Sequence, residues 1–215
     1  MEKVEATFSA IYRDGVWTGG SGSGSHPANT ASYRSFLQRF LRDEMVRSVL
    51  DVGCGDWQSS RLVDWTGVDY LGVDAVASVV ETNRHRYETA SVRFQQLDVL
   101  HDPLPMADLV LVKDVFQHWP NQVIAQFATR LAAYRHVLVT NTVDAHPLPS
   151  AEPIAPALAV NEDIEMGDMR PVDLAVSPFN WPVVEVHQHR SVRWRARMVE
   201  DKATVLLLNT PLVSQ

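Results

Sequence analysis

Ser48-Val49-Leu50-Asp51-Val52-Gly53-Cys54-Gly55-Asp56 is the stretch whose reading decides the fold. A β-branched and aliphatic run ends in two glycines around one small residue, the signature of a buried strand entering a tight turn. Glycines at positions 53 and 55 let backbone approach a ligand where a Cβ would collide. Asp51, just ahead of the turn, supplies acceptor oxygens. Together these residues point to a nucleotide-type cofactor at the carboxyl end of a parallel strand.

From that strand outward, strands and helices alternate. Tyr70–Asp74, Val92–Asp98, Ala107–Lys113 and His136–Thr140 read as further strands, and 76–88 and 120–134 as helices. Tyr33, Phe36, Leu37, Phe40 and Leu41 recur at helical spacing, so Ser32–Arg47 reads as an amphipathic helix. Alternation of this kind implies a doubly wound α/β sheet with helices on both faces. Residues 1–32 read as irregular, and 144–182 as a proline-punctuated loop with a short helix. Val183–Val186 and Thr204–Leu208 read as an antiparallel edge pair.

With 215 residues, 46% of them hydrophobic, the chain can fill one full core. Its net charge of -7 disfavours a nucleic-acid partner, and Arg190, Arg193, Arg195 and Arg197 read as one face of a strand. Cys54 is the single cysteine, so neither an internal disulfide nor a cysteine-rich metal site is expected. His187 and His189 share a strand face but lack a third ligand nearby in sequence, so no metal is expected. No apolar run is long enough to span a bilayer, and the expectation is a soluble cytoplasmic protein, monomeric or homodimeric, with no membrane partner.

Three acids sit at strand ends: Asp51, Asp74 and Asp98. In a doubly wound sheet these ends line one crevice. A carboxylate closing the second strand suits a ribose diol, and one closing the third suits an adenine amino group. Ala75 and Val99 follow those acids into the same crevice. A dinucleotide fingerprint would place its third glycine at position 58, which is Gln58, and no phosphate-binding Gly-Lys-Ser/Thr is present. A cofactor without phosphates fits better.

At this point the chain resembles the class I S-adenosylmethionine-dependent methyltransferases. The residues carrying the likeness are Val49–Gly55, Gly72-Val73-Asp74, Leu97-Asp98, and Ala107–Val110 leading into Asp114–Trp119. The resemblance implies a Rossmann-like sheet of seven strands, mostly parallel with the last antiparallel. It also implies a cofactor lying over the glycine turn at Asp51, Gly53, Cys54 and Gly55, and one domain over 1–215. Within it, 1–47 forms a lid or cap, 48–142 the cofactor core, 143–182 a substrate loop and 183–215 the edge strands. Trp57 departs from the small residue common there and packs either near the cofactor or in the core.

The region after strand four, Lys113, Asp114 and His118, is implied to face the methyl group. His118 is the candidate base, Asp114 its orienting partner or a holder of a substrate amine, and Lys113 a contact for an anion or the cofactor. The run Trp17–Ser25 reads as a lid rather than a linker, with Trp17 and Ser23 toward the substrate and Tyr33 and Arg34 near the cofactor's methionine end. Asn141, Arg170, Phe179 and Trp181 are the substrate candidates of the later loops, Arg170 through its planar fork. The expected activity is methyl transfer to oxygen or nitrogen of a small polar metabolite. Two rivals are cleavage, cyclisation or aminopropyl transfer at the same cofactor, and a non-catalytic partner subunit.

Overall fold

The computed structural model describes residues 2–148, 159–193 and 197–208. Seven strands, β1 (Ser48–Val52), β2 (Asp69–Asp74), β3 (Val92–Gln96), β4 (Leu109–Lys113), β5 (His136–Pro147), β6 (Val183–Arg193) and β7 (Met198–Leu207), form one sheet. Their order is β3-β2-β1-β4-β5-β7-β6. The first five strands run parallel, whereas β7 lies antiparallel between β5 and β6. The chain leaves β1 toward β2 and returns to β4 on the opposite side, so the loops after β1 and β4 part. That parting opens the crevice at which such sheets bind ligands.

Strand alternation builds two cores. Val49, Tyr70, Phe94, Leu109 and Leu111 face α2 (Ala31–Asp43) and α3 (Ala77–Tyr87). Leu50, Val52, Val110, Val112 and Val139 face the other way, toward Ile124, Phe127 and Leu131 of α4 (Asn121–Leu131). Because β1 and β4 are covered on both sides, they read as apolar runs, broken in β1 only by Asp51. Each fully buried aliphatic chain, such as Leu37 at 1% exposure, contributes about 1.5–3 kcal/mol. Such burial, rather than intrinsic propensity, holds these short helices in place.

Several expectations need correction. The N-terminal segment is not irregular: Glu2–Arg13 forms α1, whose Phe8 packs against the second core. Helix α2 stops at Asp43 because Met45 turns left-handed (φ 52), which lets Val46 fold back into the core. Strand β5 continues seven residues past Thr140 because β7 keeps pairing with it, across a bulge at Thr142/Asp144. The tail strands do pair antiparallel, but β6 is longer than expected and β7 lies inside the edge. Residues 159–182 hold turns and no helix, and the 149–158 part of the expected substrate loop lies outside the described residues. Arg190 and Arg193 do not share a face, since one pairs with Asp201 and the other with Glu200; Arg195 lies outside the described residues.

Candidate active site

Backbone geometry makes the turn after β1 a glycine site. Gly53 and Gly55 both hold positive φ (68 and 56), which side chains resist. A Cβ on Gly53 would stand 2.6 Å from Val115 Cγ2, and one on Gly55 2.4 Å from Ser21 Oγ. The N–H groups of Gly53 and Cys54 both donate to Val73 O, at 2.8 and 3.1 Å. Asp74 fastens the turn from the next strand. Its Oδ2 accepts from Gly55 N and its Oδ1 from Val76 N, both at 3.0 Å. Asn83 Nδ2 donates to Gly55 O at 2.7 Å. Burial raises the Asp74 pKa, and the backbone donors oppose that rise.

Asp51 lies behind the turn. Tyr70 donates to it at 2.6 Å, and burial pushes its pKa up to about 6 against the pull of that bond and of Lys113. Asp98 accepts from Leu100 N at 3.1 Å and lies 2.8 Å from His101 Nδ1. All three acids, with Ala75 and Val99, line one cavity of about 940 Å³. That is the size of a cofactor-plus-substrate cleft. Trp57 also lines it, at positive φ (58), but most of its ring is packed among Tyr70, Tyr87 and Phe94.

The glycine–serine segment is docked across this cavity. Ser21 N donates to Asp56 Oδ2 at 3.1 Å, and Asp56 N donates to Ser21 Oγ at 2.8 Å. Lys113 Nζ donates to Gly24 O at 2.9 Å. Asn29 bridges Ser23 O and Val192 O, at 2.8 and 3.2 Å. The segment is therefore tied to the turn after β1, to the end of β4 and to β6. The repeated Gly is explained by contact: Gly20 and Gly22 hold positive φ (92 and 83), and a Cβ on Gly24 would lie 2.8 Å from Asp114 Oδ2. Gly22→Val with Gly24→Val is expected to weaken S-adenosylhomocysteine binding at least about tenfold, since a side chain forced left-handed at 22 costs about 1–3 kcal/mol and one at 24 meets Asp114. Calorimetric titration measures this, and an unchanged Kd and turnover would remove the covering role.

At the far end, the sheet carries a charged ladder. Lys113 bonds Asp114, whose Oδ1 accepts from Lys202 Nζ at 2.6 Å. Lys202, fully buried, also donates to Thr142 Oγ1 at 2.9 Å and pairs with Glu200 at 3.4 Å. Glu200 in turn accepts from Ser191 Oγ at 3.0 Å and Arg193 Nη1 at 3.3 Å. Burial alone would raise the Asp114 pKa, but the two ammonium groups prevail and hold it well below the usual carboxylate range. The same carboxylates raise Lys202 against its own burial.

His118 lines the cavity beside Trp17, ring centroids 4.8 Å apart. Its tautomer follows from its neighbours. Nδ1 faces the Asp168 carbonyl at 2.8 Å, so it carries the proton and donates. Thr142 N donates to Gln117 Oε1 at 3.0 Å, which turns the Gln117 amide nitrogen toward His118 Nε2 at 3.4 Å. Nε2 therefore carries the lone pair, which accepts from the Gln117 amide across that long contact. Burial pulls the ring down to about 4, so it stays neutral at pH 7.

Other sequence candidates lie elsewhere. Tyr33 sits under Lys113, 5.7 Å from Nζ to the ring, and does not line the cavity. Arg34 donates to Pro27 O and Thr30 Oγ1, bracing the entry to α2. Arg170 is fully buried and donates to the carbonyls of Phe116, Trp119 and Glu162, so it fastens a loop rather than offering a free fork. Phe179 and Trp181 pack on the second core near Phe116. Asn141 points to a separate hollow of about 170 Å³. Trp17 and Ser23 do line the main cavity. His187 and His189 stack at 5.6 Å. The metal-ligand grouping among the described residues is instead Asp144, His146 and Asp201, where Arg190 already binds Asp201 at 2.7 Å. Sequence reasoning missed Lys202, Glu200, Asp56 and Gln117. Only the alternation of Glu200, Lys202 and Thr204 signals an inward polar face.

Residues 49–136 match the model of a methyltransferase domain family. No curated protein matches. Solved structures of similar fold include the 1,6-didemethyltoxoflavin-N1-methyltransferase of Burkholderia thailandensis, with bound 1,6-didemethyltoxoflavin and S-adenosylhomocysteine. It is 18% identical, covers 96% of this chain and 88% of that one, and has a TM-score of 0.61. The N-methyltransferase NodS from Bradyrhizobium japonicum, in complex with S-adenosylhomocysteine, is 11% identical over 85% of this chain and 88% of that one, TM-score 0.55. The magnesium protoporphyrin IX methyltransferase of Synechocystis, with bound S-adenosylmethionine, is 12% identical over 84% and 81%, TM-score 0.53. At these identities the likeness is one of fold.

Proposed function

We propose that this chain, which belongs to the class I S-adenosylmethionine-dependent methyltransferase family, transfers a methyl group from S-adenosylmethionine to an oxygen or nitrogen of a small polar metabolite. The observation that carries this reading is the glycine turn at 53–55, held open by Asp74, at the mouth of a cavity that continues past Lys113 to His118. The fit to that cofactor rests on the turn itself, where any Cβ at 53 or 55 would fill the cradle. Asp74 would take the ribose, Asp98 and Val99 the adenine, and Asp51 with Lys113 the methionine end.

The bound cofactor supplies an electrophilic methyl group and a neutral leaving thioether, so no leaving anion needs stabilising. The chain's own task is then positioning and proton removal. The docked glycine–serine segment excludes water from the cavity. His118, neutral and held through Nδ1 by Asp168 O, accepts the acceptor's proton at Nε2 once the acceptor replaces the long 3.4 Å Gln117 contact there. Asp114, fixed between Lys113 and Lys202, is spoken for electrostatically and positions the wall rather than titrating.

A small acceptor agrees with a cavity that closes within one domain. The net charge of -7 supports an acceptor that is not a nucleic acid, and no helix among the described residues is long and apolar enough to cross a membrane. The test is product analysis with S-adenosylmethionine and pooled metabolites: S-adenosylhomocysteine supports methyl transfer, and methylthioadenosine overturns it. His118→Asn is expected to lower kcat by about 10²–10⁴-fold, the usual worth of a positioned base, while S-adenosylhomocysteine affinity stays within about twofold by calorimetry. A kcat within about threefold of the parent's removes the base.

A further inference from the structure

Hydrogen-bond capacity at the acceptor end of the cavity is unevenly spent. Asp114 is clamped by Lys113 and Lys202. Glu200 is clamped by Lys202, Arg193 and Ser191. Lys202 donates to Asp114 and Thr142 and pairs with Glu200. Both carboxylates are already neutralised by bonded cations, so an amine acceptor would gain little counter-charge from them. Arg193 differs. Only its Nη1 is engaged, on Glu200 at 3.3 Å and Met169 Sδ at 3.8 Å, and its side chain is 40% exposed while lining the cavity. Its remaining N–H groups have no partner among the described residues. Lys113 and Lys202 are spent on Asp114, with Glu200 and Asp51 also in their reach, so Arg193 is the cation of this cluster with donors left to offer. Around Arg193 the lining is apolar and adaptable, with Met169, Met198, Val192 and Pro171, and Trp17 also lines the cavity.

We infer that the acceptor is a small carboxylic acid, whose carboxylate docks on the free fork of Arg193 and whose apolar body lies against Met169, Met198 and Trp17. A guanidinium fork matches a carboxylate in two parallel bonds, and Glu200 behind it fixes the plane. The inference rests on the methyltransferase reading, and the experiment separates the two. Protein is first titrated with S-adenosylhomocysteine; absence of binding fails the methyltransferase reading itself. The saturated protein is then titrated with benzoate, benzamide and benzylamine, which share a ring and differ in the charge of the head group.

Benzoate is expected to bind at least about tenfold tighter than either analogue, and Arg193→Gln to bring it down to benzamide's affinity. Arg193→Lys, which keeps the charge and loses the fork, retains part of the preference. Cofactor-product binding and the thermal midpoint of each variant verify that it is folded. The proposal is overturned if benzamide or benzylamine matches benzoate, if none of the three binds, or if the preference survives in Arg193→Gln.

Discussion

Lys202→Met is expected to lower the unfolding free energy by about 3–5 kcal/mol, the cost of stripping one partner from a buried ion network. The ammonium touches Asp114 at 2.6 Å and pairs with Glu200 at 3.4 Å, and no part of it reaches solvent. Methionine fills the space but supplies no charge. Asp114 keeps Lys113, whereas Glu200 is left with Ser191 and a half-exposed Arg193. Adding Glu200→Gln to the variant therefore recovers part of the loss, since it removes the stranded charge.

The pH dependence has a defined sign. Asp114 titrates below its ordinary value of 3.8, so its stabilisation is present above that pH and is lost as the pH falls through the folded-state value. The gap between parent and Lys202→Met consequently narrows on acidification below about pH 4. Urea unfolding followed by tryptophan fluorescence at pH 7 measures the main effect. A loss under about 1 kcal/mol, the scale of a surface pair, would mean that the network is solvated.

Asp74→Ala is expected to weaken S-adenosylhomocysteine binding by about 100- to 1000-fold, or roughly 3–4 kcal/mol. Two losses combine. The carboxylate that would receive the ribose hydroxyls is gone, and charge-assisted bonds of that kind are roughly twice as strong as neutral ones. The N–H groups of Gly55 and Val76 also lose their acceptor, so the turn that shapes the cradle loosens. Asp74→Asn keeps one oxygen for one of those donors and falls between the two. Isothermal titration at constant pH checks the series, and a Kd within about fivefold of the parent's would place the ribose elsewhere.

Much of this molecule is legible along the chain. Leu109–Val112 is a continuous apolar run, and Val49–Val52 is one broken only by Asp51, because their strands are buried on both faces, and that pattern survives in one dimension. The two glycines are legible for a related reason: backbone conformation is a local property, and positive φ selects glycine at the position itself. Asp74 was placed at the cavity by topology alone, since parallel strands bring their carboxyl ends together. Helix α1 was overlooked although Val4, Phe8 and Ile11 carry helical spacing, because three apolar residues make too short a stripe.

Side-chain pairing across long separations was not legible. Asp114 and Lys202 meet because β7 turns back between β5 and β6, and nothing near residue 202 in sequence announces the partner. The same cause misled the reading of Arg170. A planar fork serves a bound carboxylate or three backbone carbonyls equally well, and only packing sends it to Phe116, Trp119 and Glu162. Sequence by itself determined the alternation of strands and helices in the cofactor half and the turn that receives a ligand, since both follow from local backbone and burial preferences. Tertiary structure alone decided which charges are already paired and which remains open, because electrostatic partnership depends on distances that only the closed sheet creates.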